Sequence, residues 1–147
     1  RVLDFGTGAG WPGIPLQIVL DDSQLILLES RRKRANFLKH VRRSLDLGDM
    51  RIVNERIEDV VPGCLGQVDL VVSRAVCSPD ELWRQVRPHL APHGQVATYL
   101  PSGQTNAMVS HRLLLTFRGD PKVGSADIAV VDAKPLPAGY SHLSTSY

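Results

Sequence analysis

Gly6, Gly8 and Gly10 follow the apolar run Val2, Leu3 and Phe5. Glycines at that spacing, after a strand and before a helix, permit a tight turn and let backbone N–H groups approach a ligand closely. A dinucleotide fingerprint would place a third glycine at position 11, where this chain has Trp11. The spacing therefore leans away from NAD and towards S-adenosylmethionine, whose methionine part sits in such a loop without a pyrophosphate. Glu29 ends the second apolar run about twenty residues further on, where a carboxylate can bind both ribose hydroxyls. Ile57 and Glu58 follow the third run, where an apolar side chain can cover an adenine face and its neighbour meet the adenine edge. A tight turn with solvated acids accounts for each feature taken alone. In register on successive strand ends, they favour a bound cofactor.

These residues need strand ends to carry them. Residues 2–5, 25–28, 51–53, 68–72 and 95–100 read as strands. Between them, residues 11–20, 32–45 and 80–90 read as helices, with a short turn or helix at 55–61. Pro12 and Pro15 are read as first-turn prolines. Phe37, Leu38, Val41 and Leu45 make one apolar helical face that stops at Gly48, and Pro92, His93 and Gly94 read as a turn. Strands alternating with helices imply an α/β, doubly wound, mostly parallel sheet. Residues 108–115 read as partly helical. Two late strands, 113–117 and 128–131, suit an antiparallel edge. One domain over residues 1–134 is expected, with residues 135–147, rich in Pro, Gly, Ser and Tyr, as a loose tail.

The chain has 147 residues and a net charge of +2. Its apolar fraction of 43% is enough to build a real core. No apolar run reaches the length of a bilayer crossing, and no secretory signal is read, so neither a membrane partner nor export is expected. Cys64 and Cys77 lack metal-ligand spacing and suit reduced thiols in the cytoplasm. The five histidines show no ligand spacing either, so no metal site is expected. Charge is concentrated: Arg31, Arg32, Lys33, Arg34, Lys39, Arg42 and Arg43 fall in one window without an acid. A solvated helix face explains such a run, and so does contact with an RNA backbone, which the missing acids favour.

The stretch Asp4-Phe5-Gly6-Thr7-Gly8-Ala9-Gly10-Trp11-Pro12-Gly13-Ile14-Pro15-Leu16 is far more specific than a bare glycine loop. Leu27-Leu28-Glu29-Ser30, then Lys33-Arg34 and Phe37-Leu38, then Ser73-Arg74-Ala75, follow in order. Together these resemble the RsmG (GidB) family of bacterial 16S rRNA guanine-N7 methyltransferases, from residue 2 to about residue 100. The resemblance implies a Rossmann-like class I methyltransferase fold, S-adenosylmethionine as cofactor, and 16S rRNA or the small ribosomal subunit as partner. It implies that Gly6 and Trp11 line the cofactor site, that Ile57 and Glu58 hold the adenine, and that Arg74 sits beside the cofactor near the target base. Trp11 stands where the family usually has Phe or Leu. The family's helical segment ahead of the first strand is absent from this sequence, and its lysine and glycine after the fifth strand are replaced by Tyr99-Leu100-Pro101-Ser102-Gly103.

Guanine N7 has a free lone pair and no proton, so methylating it needs alignment and no general base. No catalytic acid or base is therefore expected, and Arg74 is given a positioning role. Exocyclic-amine methylation would call for a polar-Pro-Pro-aromatic run where Ser73-Arg74-Ala75-Val76 stands. Cytosine-C5 methylation would call for a nucleophilic cysteine, and Cys64 and Cys77 read as inert loop or packing residues. The alternatives are a methyltransferase with a non-RNA substrate and a non-catalytic relative that binds cofactor.

Overall fold

β1 (Val2–Phe5) and β2 (Leu25–Leu28) are buried at every position, the pattern of parallel strands covered on both faces. The computed structural model describes residues 1–20, 23–74, 76–101, 113–118 and 125–132, with side chains as far as Tyr99. The remaining strands are β3 (Met50–Val53), β4 (Val68–Ser73), β5 (Leu90–Pro101), β6 (Leu113–Arg118) and β7 (Ser125–Asp132). They form one sheet in the order β3-β2-β1-β4-β5-β7-β6. The pairs β1–β2, β1–β4, β2–β3 and β4–β5 are parallel. β7 pairs antiparallel with β5 and with β6. The architecture is α/β and doubly wound.

Two apolar clusters fill the faces. Leu3, Phe5, Ile26, Leu28, Val71 and Val96 point to one side, where helix α3 (Pro79–Val86) adds Leu82 and Val86 and Trp83 packs alongside. Val2, Leu25, Leu27 and Val72 point to the other. There α2 (Arg32–Ser44) contributes Leu38, and Ile14 and Leu16 of α1 (Gly13–Val19) pack against the cluster. Each fully buried leucine contributes about 1.5–3 kcal/mol over an exposed one.

Several boundaries differ from the sequence expectation for local reasons. α1 starts at Gly13, with Pro12 at the N-cap, rather than at Trp11. Its Gly13 N–H donates to the Asp4 carboxylate, which fixes where the helix can begin. α2 keeps its expected start, but Phe37 and Leu45 are half-exposed, and Ala35 and Leu38 make its buried face. Its chain reversal uses Asp46, with φ 52, ahead of Gly48. The third helix is shorter than expected and ends at Val86. A 3₁₀ turn (Arg87–His89) then takes in Pro88, which lacks the N–H that a continuing helix needs. Pro92, His93 and Gly94 lie inside β5 instead of forming a turn, at a register shift against β4 between Val68 and Leu70. Where the helical reading of 108–115 overlaps the expected strand 113–117, the chain is strand, β6. Residues 108–112 and the expected tail at 135–147 lie outside the described residues.

Candidate functional site

The strand order reverses between β1 and β4, where one crossover runs outward through β2 and β3 and the next through β5. Crevices at such a reversal, outside the carboxyl ends of the strands, are where open α/β sheets bind ligands. The expected site residues follow the ends of four adjacent strands: Ile57 and Glu58 after β3, Glu29 after β2, the glycine loop after β1, and Arg74 after β4.

The loop is built from left-handed glycines, with φ of 67 at Gly6, 63 at Gly8 and 96 at Gly10. Side chains rarely adopt these angles, so all three positions require glycine. A Cβ on Gly6 would also come within 2.5 Å of Val76. Gly6 and Thr7 donate their N–H groups to the Leu28 carbonyl at 3.0 and 3.2 Å, which hangs the loop on the end of β2. Trp11 is about half-exposed on the rim.

Glu29 is nearly buried and ties the loop to α2. Its Oε2 accepts from the Gly8 N–H at 3.1 Å and lies 3.8 Å from the Arg34 guanidinium, and its Oε1 accepts from the Arg31 N–H at 2.8 Å. A carboxylate has about four lone-pair sites, so capacity remains for a ribose diol. Asn54 Nδ2 donates to the Glu29 and Ser30 carbonyls at 2.7 and 3.0 Å and fixes the turn from the β3 side. Ile57 is buried in the apolar cluster on the α3 side, and its exposed neighbour Glu58 accepts from Gln85 Nε2 of α3 at 3.5 Å.

Asp4, Thr7 and Gly13 were missed by sequence reasoning. Asp4 is fully buried, and its Oδ2 accepts from the Thr7 hydroxyl at 2.6 Å and the Gly13 N–H at 2.8 Å. Its Oδ1 has no hydrogen-bond partner. Burial pushes the Asp4 carboxyl above its ordinary value, while the Thr7 and Gly13 hydrogen bonds and the Arg74 charge pull it down. The available signal was a charged residue inside a four-residue apolar strand, a place where charges are found only when partnered. A Cβ on Gly13 would overlap Leu27 and lie 2.6 Å from Asp4 Oδ2, so glycine there allows the close approach.

The family described as GidB, rRNA small subunit methyltransferase G, matches residues 1–120. The chain belongs to that family. A ribosomal RNA small subunit methyltransferase G from Syntrophus aciditrophicus is 45% identical over 98 residues, covering 65% of this chain and 41% of the relative. One from Mycobacterium leprae is 36% identical over 132 residues, 89% of this chain and 51% of the relative. The chain thus spans about half the length of the curated relatives it matches. A solved mutant of MtNAS in complex with S-adenosylmethionine superposes with a TM-score of 0.65 at 13% identity, over 90% of this chain and 54% of that one. That likeness shows the fold.

The chain carries its cations in the open. Arg31, Arg32, Lys33, Arg34, Lys39, Arg42 and Arg43 are all exposed along α2 and its N-cap. Cys64 and Cys77 are exposed free thiols, and partial desolvation by its neighbours, then the Glu81 and Glu58 charges, push the Cys77 thiol up, away from a nucleophilic thiolate. Among the described residues, no three His, Cys, Asp or Glu side chains are grouped to hold a metal ion. No helix among them is long and apolar enough to cross a membrane.

Proposed function

We propose that this chain is the S-adenosylmethionine-binding domain of a methyltransferase that acts on N7 of a guanine in 16S rRNA, free or in the small ribosomal subunit of the cytoplasm. One observation carries the reading. The loop of three left-handed glycines at the switch point is held from beneath by Asp4, through Thr7, and from the side by Glu29, through Gly8, in a chain of the GidB family.

The residues suit this cofactor. Glu29 has lone pairs for the ribose hydroxyls, and the loop amides with Trp11 offer a seat for the methionine part. The orphaned Asp4 Oδ1 is a buried acceptor that an ammonium group would complete. Ile57 and Glu58 stand on the adjoining strand end, where an adenine would lie. The cofactor supplies a sulfonium methyl that is already an activated electrophile. The protein's task is then to align a lone pair with it and to exclude water. N7 methylation puts a positive charge on the base, so Arg74 serves to position the cofactor or a phosphate rather than to stabilise product. The acid-free basic window supports RNA as substrate. Cations at the N-terminus of α2 oppose its dipole, by about 0.3–1 kcal/mol each at exposed positions. A helix that retains them against that cost is suited to meeting an anion.

The test is transfer of labelled methyl from S-adenosylmethionine to small-subunit particles and rRNA from cells lacking this enzyme. Label recovered as 7-methylguanosine is expected. Cofactor binding without label in RNA would reject the substrate, and no cofactor binding would reject the reading altogether.

A further inference from the structure

α2 starts at the cofactor end of the sheet and runs back towards the opposite edge, where β3 begins. Three of its six cations line up along it. Arg32, Lys39 and Arg43 stand at i, i+7 and i+11, within about 40° of one another at about 3.6 residues per turn. Asn36 fills the same exposed stripe. From Arg32 to Arg43 the stripe is about 17 Å long at about 1.5 Å per residue.

The stripe ends in a cleft. Lys39, Arg42, Arg43, Asp46, Leu47, Gly48 and Ile52 line an open cleft of about 460 Å³. The half-buried Leu47 and Ile52 belong to the apolar packing against the sheet and make an apolar floor. Three cations and one carboxylate, Asp46, stand around it. Arg42 is oriented by a hydrogen bond from its Nη2 to the Gly48 carbonyl at 3.3 Å. The volume is in the range of small-ligand sites. A cationic rim over an apolar floor suits one nucleotide, with its phosphate on the guanidinium and ammonium groups and its base against the apolar side chains.

We infer that this cleft seats a nucleotide of the RNA strand at a distance from the methylated base, with the Arg32–Lys39–Arg43 stripe carrying the phosphates between them. The inference rests on the reading that the substrate is RNA, and it adds a second grip remote from the cofactor. The 17 Å stripe spans about five nucleotides at the stacked rise of about 3.4 Å. Target choice would then depend on strand geometry several nucleotides from the guanine as well as on the base itself.

Two variants of the full chain test it by different routes. Lys39→Ala with Arg43→Ala removes exposed charge. Gly48→Phe puts a bulky side chain at the cleft lining while leaving the cations, and it is sterically tolerated because nothing lies within 4 Å of a Cβ built there. The probe is a 16S rRNA transcript, titrated across a salt series, with thermal unfolding as the check on the fold. In the double variant, the slope of log affinity against log salt should fall in magnitude by about 1.4, from about 0.7 for each single-strand phosphate contact. Gly48→Phe should weaken RNA binding about tenfold. Wild-type affinity and slope in both variants would overturn the inference. So would guanosine monophosphate binding the cleft as tightly as the transcript, since the site would then serve a free nucleotide. Failure of the functional reading looks different: methyl transfer to RNA would be absent while the salt slope still responded to these variants.

Discussion

The Asp4 carboxyl is raised by burial and held by contacts that join three segments, Thr7 of the loop, Gly13 of α1 and the end of β1. A carboxyl whose folded value lies above its unfolded one binds protons more readily in the fold. Its ionised form therefore costs stability at neutral pH, and that cost is relieved as pH falls through the folded value. Asp4→Asn keeps the shape and loses the titration. The stability difference should move in favour of the wild type as pH falls from 7 towards about 4. Denaturant unfolding of both proteins across that range checks it, and a gap independent of pH would defeat it. His89, which burial holds below its ordinary value, works with the opposite sign, but it is present in both proteins and cancels in the difference. If Asp4 Oδ1 also meets the cofactor's ammonium, the same variant binds S-adenosylmethionine more weakly at pH 7.

At the scale of elements, α3 shows how the chain sets an end. Ser78 Oγ accepts from the Glu81 N–H at 3.3 Å, Pro79 opens the helix, and Asp80 and Glu81 fill the first turn. Ser78→Ala should cost about 1 kcal/mol in denaturant unfolding. Cofactor affinity should stay at the wild-type value, because Ser78 caps the start of α3, whereas α3 meets the strand-end site further along, through the 3.5 Å contact from Gln85 to Glu58 and the apolar cluster that Leu82 and Val86 share with Ile57. Elements were legible in the sequence wherever residue type has one structural use: glycines after an apolar run, an acid at a strand end. What stayed hidden depends on distant partners. Phe37 and Leu45 have helical spacing with Leu38, yet the sheet meets the Ala35–Leu38 side, and sequence periodicity alone cannot say how α2 is rotated on it. Pro92, His93 and Gly94 have turn chemistry but lie within β5, where the register against β4 shifts. A Cβ at Gly94 would stand 2.7 Å from the Val68 carbonyl. That glycine answers to a neighbouring strand, which local composition does not reveal. Asp4 was hidden for a different reason: its partners are only three and nine residues away, but the expected helix began too early to leave the Gly13 N–H free for it.

For the whole molecule, the consequence is that the site and the core are not separate structures. The loop hangs from the Leu28 carbonyl, Glu29 N–H donates to the Val53 carbonyl at 3.0 Å, and Ser73 Oγ donates to the Phe5 carbonyl at 3.2 Å. β3, β2, β1 and β4 are therefore joined at the very ends that face the ligand. A ligand that grips those ends should stabilise the sheet as a unit rather than quieting one loop. S-adenosylhomocysteine at about 100 times its dissociation constant should raise the free energy of global unfolding by about 2.7 kcal/mol. Amides of β1, β2 and β4 that exchange only through global unfolding should gain protection by the same increment. Native-state hydrogen exchange with and without the ligand measures both. Protection that rises in residues 6–13 and nowhere in the strands would mean that the loop closes on its ligand independently, and that its hydrogen bonds to β2 do not couple it to the fold.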